Sequence, residues 1–105
     1  MTIKTIGRCL GQAHDGSLWF FCKGCDQPHS LKVGSGPGPR WGYNDNPEAP
    51  TFTPSVLVRW NEREEAKVCH SFVTDGRIQY LADCTHELAG QTVDLPDWEA
   101  SWSNW

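Results

Sequence analysis

The sequence predicts a small, mainly β domain of the α+β kind, built from antiparallel hairpins with one or two short helices. Three observations carry this. Ten glycines and seven prolines in 105 residues cut the chain into pieces too short for long helices. Several short runs alternate polar and apolar residues, or gather aromatic and β-branched types, as strands do. Asp75-Gly76 separates two such runs by a two-residue turn, the strongest short-range hairpin signal. A chain of this length makes one domain, residues 1–105, with a core thin enough to need reinforcement.

Taken in order, Thr2–Ile6 alternates and reads as a short strand. Ser17–Cys22 follows the turn His14-Asp15-Gly16 and is a stronger strand, rich in aromatic residues. Cys22-Lys23-Gly24-Cys25 is a tight loop, and His29–Val33 alternates again, placed to return antiparallel to Ser17–Cys22. Gly34–Pro39 has no room for regular structure. Trp41–Asn46 and Pro47–Pro54 are turn-rich, and are expected to pack through Trp41, Tyr43 and Phe52. Ser55–Trp60 is a strand and Asn61–Ala66 a charged loop. Val68–Thr74 and Arg77–Asp83 flank Asp75-Gly76, which suits a type I′ turn because both central residues take positive φ. Thr85–Ala89 reads as one helical turn capped by Gly90. Pro96 starts a last helix, with Trp98, Trp102 and Trp105 at i, i+4 and i+7 on one face.

The net charge is −4 and no Lys/Arg cluster exceeds two residues, so the basic stripe of a nucleic-acid binder is missing. No run approaches the ~20 apolar residues of a membrane span, and the first residues lack a signal-peptide core. The expectation is a cytoplasmic protein. In that reducing compartment five cysteines point to metal binding or catalysis rather than disulfides.

Cys22-x-x-Cys25 after a strand, with Gly24 inside, can form a knuckle whose amides point at sulfur, as one tetrahedral metal requires. A thioredoxin-like reading needs a helix after the motif, and Pro28 stands there instead. The second half of the site is Cys69-His70 with Cys84-Thr85-His86. The Asp75-Gly76 turn sets the register: Cys69 opposes Ala82 and is diagonal to Cys84. His70 takes the other face with Phe72, Leu81 and Asp83. Cys22 and Cys25 are therefore the firm pair. The remaining ligands come from Cys69, His70, Cys84 and His86, with His29 a further candidate. Mixed nitrogen and sulfur donors favour zinc. Cys9 reads as a small apolar core residue.

A structural zinc is the better reading. A catalytic zinc would use three protein ligands, a water, and Glu87 or Asp83 as base. The zinc deaminase pattern and HExxH are both unmet. No Ser/His/Asp elbow, phosphate-binding glycine loop or paired-carboxylate signature stands out. The Trp98/Trp102/Trp105 stripe can dock on the sheet or present a partner surface, since tryptophan is enriched at hot spots. The function expected is zinc-stabilised binding of a protein partner, host or viral, with a homo-oligomer left open. A small zinc hydrolase and a single-stranded nucleic-acid binder stand as alternatives, the last disfavoured by charge.

Phe21-Cys22-x-Gly24-Cys25-x-x-x-His29, Trp41-x-x-Asn44, Pro50-Thr51-Phe52-x-Pro54-Ser55, Cys69-His70-x-Phe72 and Asp83-Cys84-Thr85-His86-x-Leu88-Ala89-Gly90-Gln91-Thr92-Val93 resemble a family of small bacteriophage and prophage proteins. Some members of that family bear the label "ammonia monooxygenase", which does not suit so short a chain without a membrane span. The resemblance spans roughly residues 17–96. It implies a viral origin and a metal site, and supplies no activity.

Overall fold

The computed structural model describes residues 3–102, which form two antiparallel sheets. The first joins β1 (Ile3–Ile6), β2 (Leu10–Ala13), β3 (Leu18–Cys22) and β4 (Gln27–Leu31) in chain order. The second joins β5 (Gly42–Tyr43), β6 (Phe52–Glu62), β7 (Glu65–Thr74), β8 (Arg77–Tyr80) and β9 (Thr92–Asp94), again in chain order. A short helix, α1 (Trp98–Trp102), comes last. Each strand pairs with its neighbour in sequence, so no long crossover is needed within either sheet.

The expected mainly β class holds, and the differences are local. Asp75 and Gly76 both take positive φ, at 51° and 77°, as the hairpin turn demands. The expected charged loop over Asn61–Ala66 is instead the tip of a second hairpin. Its central residues, Arg63 and Glu64, take φ of 51° and 68° because the β6–β7 ladder runs on to Glu62↔Glu65. The span Thr85–Ala89 forms turns rather than a helical turn. No strand was expected over Leu10–Ala13, where β2 carries Gly11. A Cβ there would lie 2.6 Å from the Trp98 ring, so the missing side chain is what lets α1 dock. Trp98 is accordingly 1% exposed and belongs to the core, which removes it from any partner-binding stripe. The Trp102 side chain, and the expectations at Thr2 and Trp105, lie outside the described residues.

The two sheets share one apolar core. Phe20 of β3 stacks on Phe52 of β6 at 6.4 Å between ring centres, and Leu18, Leu31, Val56, Val73, Ile78, Tyr80 and Leu95 fill in around them. Burial of each such side chain contributes about 1.5–3 kcal/mol.

One irregularity interrupts the β6–β7 ladder. Phe52 pairs with Val73 and Val56 with Ser71, so Thr53, Pro54 and Ser55 together face Phe72 alone. Pro54 brings no N–H to the ladder. The strand bulges there, and bulges re-aim the side chains beside them. Beyond it β6 and β7 alternate regularly. Val56, Cys69, Ser71 and Val73 are buried, while Leu57 and Phe72 are each 42% exposed on the outer face.

Candidate active site and metal centre

The outer face of the second sheet carries a hydrogen-bonded line. Ser55 leaves the bulge beside His70, whose Cα pairs with that of Leu57. The Ser55 hydroxyl oxygen lies 2.9 Å from His70 Nε2, and His70 Nδ1 lies 3.1 Å from Asp83 Oδ2 in the turn after β8. A carboxylate only accepts, so Nδ1 carries the proton and donates to Asp83. Nε2 then holds a lone pair facing the serine hydroxyl, which donates to it. Ser55 and His70 are half-buried, and Asp83 is exposed.

Backbone contacts hold each member. The Trp41 indole N–H donates to the Ser55 carbonyl at 3.2 Å. The Cys84 sulfur accepts the His70 N–H and its thiol donates to the His70 carbonyl, both at 3.2 Å. Leu81 N–H also donates to the His70 carbonyl at 2.9 Å, and Thr85 N–H to that of Val68 at 2.9 Å. The turn bearing Asp83 is thus stapled to β7 at His70 itself and at Val68.

One residue back along β7, Cys69 points inward to a second constellation. Cys22, Cys25, His29 and Cys69 bring their ligand atoms within 4.8 Å of one another, and so do Cys69, Cys84 and His86. Either group could hold a metal ion, and all these thiols are free. The Cys25 N–H donates to Cys22 Sγ at 3.4 Å, the knuckle contact, and Tyr80 Oη lies 3.3 Å from the same sulfur. These neighbours act on titration. Hydrogen bonds from Cys25, then Cys69, pull the Cys22 thiol well below its ordinary range. The contact with Cys22 pushes Cys25 up to about 12. Burial, then the charge of Cys22, raises Tyr80.

The residues fit a metal. Tetrahedral zinc with ~2.3 Å bonds to sulfur sets its sulfurs about 3.8 Å apart; Cys22 and Cys69 sulfurs are 3.7 Å apart. His29 Nε2 and His86 Nε2 are buried without a hydrogen-bond partner among the described residues. A buried ring nitrogen left so would be costly unless a ligand takes it.

The knuckle and the later hairpin therefore converge, bringing Cys22, Cys25, His29, Cys69, Cys84 and His86 together. His70, expected in the same pool, is in neither group, because strand alternation turns it outward to Ser55 and Asp83. Asp83, considered as a base beside zinc, is spent on that histidine. Glu87 is exposed at a shallow depression with Lys23, Gly24 and His86. Cys9 is buried and its thiol raised by that burial, as a core residue. Ser55 was not foreseen. The shared face of His70 and Asp83 was the available signal, but the bulge that adds Ser55 leaves no pattern in sequence.

A β domain with a Ser-His-Asp line outside and a Cys/His cluster inside is the class of protein these elements define. Such a line is recognised by geometry rather than by its order along the chain. The chain belongs to the BubE family, described as "Bacterial ubiquitination-like system serine protease", whose pattern matches residues 4–81. That stretch includes Cys22, Cys25, His29, Ser55, Cys69 and His70, and stops just before Asp83. The family is bacterial by name, and it lends no support to the bacteriophage origin implied by the motif resemblance. No curated protein and no solved structure matches the chain significantly. Among the described residues no helix is long and apolar enough to cross a membrane.

Proposed function

We propose that this chain is a serine peptidase of a bacterial ubiquitination-like system, with Ser55 as nucleophile, His70 as general base and Asp83 orienting the imidazole. The observation that carries the reading is the single line from Ser55 Oγ through both His70 nitrogens to Asp83. Ser55 Oγ attacks the carbonyl carbon of an amide while its proton passes to His70 Nε2. The C–N bond breaks as that proton moves to the leaving amine, leaving an acyl ester on Ser55. Water then attacks the ester, with His70 again taking and returning the proton, which frees acid and serine. Asp83 stays ionised and stabilises the imidazolium. The partner expected from sequence becomes the substrate, a polypeptide of the modification system that the family name describes.

In this reading the metal is zinc and its role is structural. Four ligands, Cys22, Cys25, His29 and Cys69, suit a closed tetrahedral site with no position for water. Cys84 is engaged by the His70 backbone instead. His86 Nδ1 accepts the Leu88 N–H at 3.2 Å, and its buried Nε2 belongs to the second group, with Cys69 and Cys84. Thiolate ligands of this kind persist in the reducing cytoplasm, where the reading places the protein.

The test is labelling with a fluorophosphonate probe, read by peptide mass spectrometry. The adduct is expected on Ser55 and absent from His70→Ala. No adduct, or an adduct on another serine, overturns the proposal.

A further inference from the structure

The nucleophile stands at the start of a strand with one open edge. Beyond the bulge β6 pairs with β7 to its end, but on its other side, among the described residues, β5 reaches only Phe52 and Thr53. The Trp41 indole takes the Ser55 carbonyl, and the free stretch begins at Leu57. Register shows where the backbone groups of that stretch point. His70 turns its N–H and C=O toward the β8 side, to Cys84 and Leu81. Its opposite number, Leu57, thus sits in a non-hydrogen-bonded pair and aims its own N–H and C=O away from β7. Val68 engages Thr85 in the same way, so its partner Arg59 also points outward. Leu57 and Arg59 present donor, acceptor, donor, acceptor along one line, beginning two residues from Ser55.

Resting on the peptidase reading above, we infer that this edge is the substrate-binding site, and that the substrate enters as an extended, unfolded segment added to β6 as a further strand. Such addition takes its affinity from main-chain hydrogen bonds, and its selectivity from alternate side chains. The face that holds His70 supplies the selectivity, since exposed Leu57 and Phe72 flank Ser55 there. The segment is therefore a flexible tail or linker with an apolar residue beside the cut bond. A folded surface could hydrogen-bond along this edge only through an exposed strand edge of its own.

The probe is a mixture of random-sequence decapeptides, with cut sites read by mass spectrometry, followed by an N-methyl scan of one cleaved peptide. Wild-type protein is expected to cut bonds flanked by an apolar residue. N-methylation should raise KM about five- to tenfold at every second position and little at the positions between, because alternate amides face the edge. On the protein side, Arg59→Pro removes an outward N–H that has no partner among the described residues, whereas Arg59→Ala keeps it. The proline variant should show the larger KM rise. Fluorophosphonate labelling of Ser55 separates the two failures. No adduct sinks the peptidase reading itself. An adduct with no decapeptide cut, or with no two-residue period in the scan, overturns the edge while leaving the nucleophile standing.

Discussion

Cys69 and His70 are consecutive in β7, and Asp83 and Cys84 are consecutive in the turn after β8, yet within each pair the two side chains do opposite work. The inward members, Cys69 and Cys84, are buried, one in the thiol cluster and the other clipped to the His70 backbone. The outward members, His70 and Asp83, meet at 3.1 Å on an accessible face and complete the line to Ser55. The contrast teaches how a thin domain carries a reactive site. Rigidity is built on one side of the hairpin and chemistry on the other, and the backbone between them transmits position without shared side chains. Damage to the inner face should disturb both sides, whereas damage to the outer face should stay where it is.

The largest effects break the outer face alone. Ser55→Ala is expected to lower peptide hydrolysis at least about 10⁴-fold. Asp83→Asn should lower it about 10³-fold, because the amide no longer fixes the tautomer. Both variants should melt within a few degrees of wild type by circular dichroism, since neither group lies in the core. A melting point that collapses in Ser55→Ala would show that the serine is structural and end the contrast.

Next comes the inner face. Cys69→Ala, or removal of metal by a strong chelator, is expected to cost more than about 4 kcal/mol of stability, since binding energy at a structural site is folding energy. The same treatment should abolish fluorophosphonate labelling of Ser55, because β7 carries the ligand and the base side by side. Acid should act the same way. The ligands hold the ion as thiolates, so its stabilising contribution is present at neutral pH and is lost as pH falls and protons displace it from sulfur. A chelated, demonstrably metal-free protein that still melts normally would overturn the clamp.

Much of this was legible in the sequence, and the reason differs by region. The Asp75-Gly76 turn fixed a register, and that register put Cys69 and Cys84 on one side and His70 with Asp83 on the other. The knuckle at Cys22 and Cys25 was visible because metal geometry imposes a spacing. What stayed hidden depended on long-range arrangement. Ser55 joins His70 only through a bulge across from Phe72, and no local pattern announces it. His70 was counted with the metal ligands because residue type alone does not separate a ligand from a base. β2 was not legible either, because what Gly11 leaves room for, the Trp98 ring, lies far along the chain.

A finer probe of the contrast lies at Cys84, which belongs to both halves. Its side chain is buried, and its contacts are the N–H and C=O of the base. Cys84→Ser keeps both hydrogen bonds in a smaller group, whereas Cys84→Ala leaves that N–H without a partner at a cost of about 1–3 kcal/mol. If Cys84 acts through position, Cys84→Ala should lower kcat several-fold with little change in KM, and Cys84→Ser should recover most of it. Zinc content, measured in the same samples, should stay at the wild-type ratio in both variants. Loss of zinc from both would instead make Cys84 a ligand and shift the metal toward the hairpin group with His86.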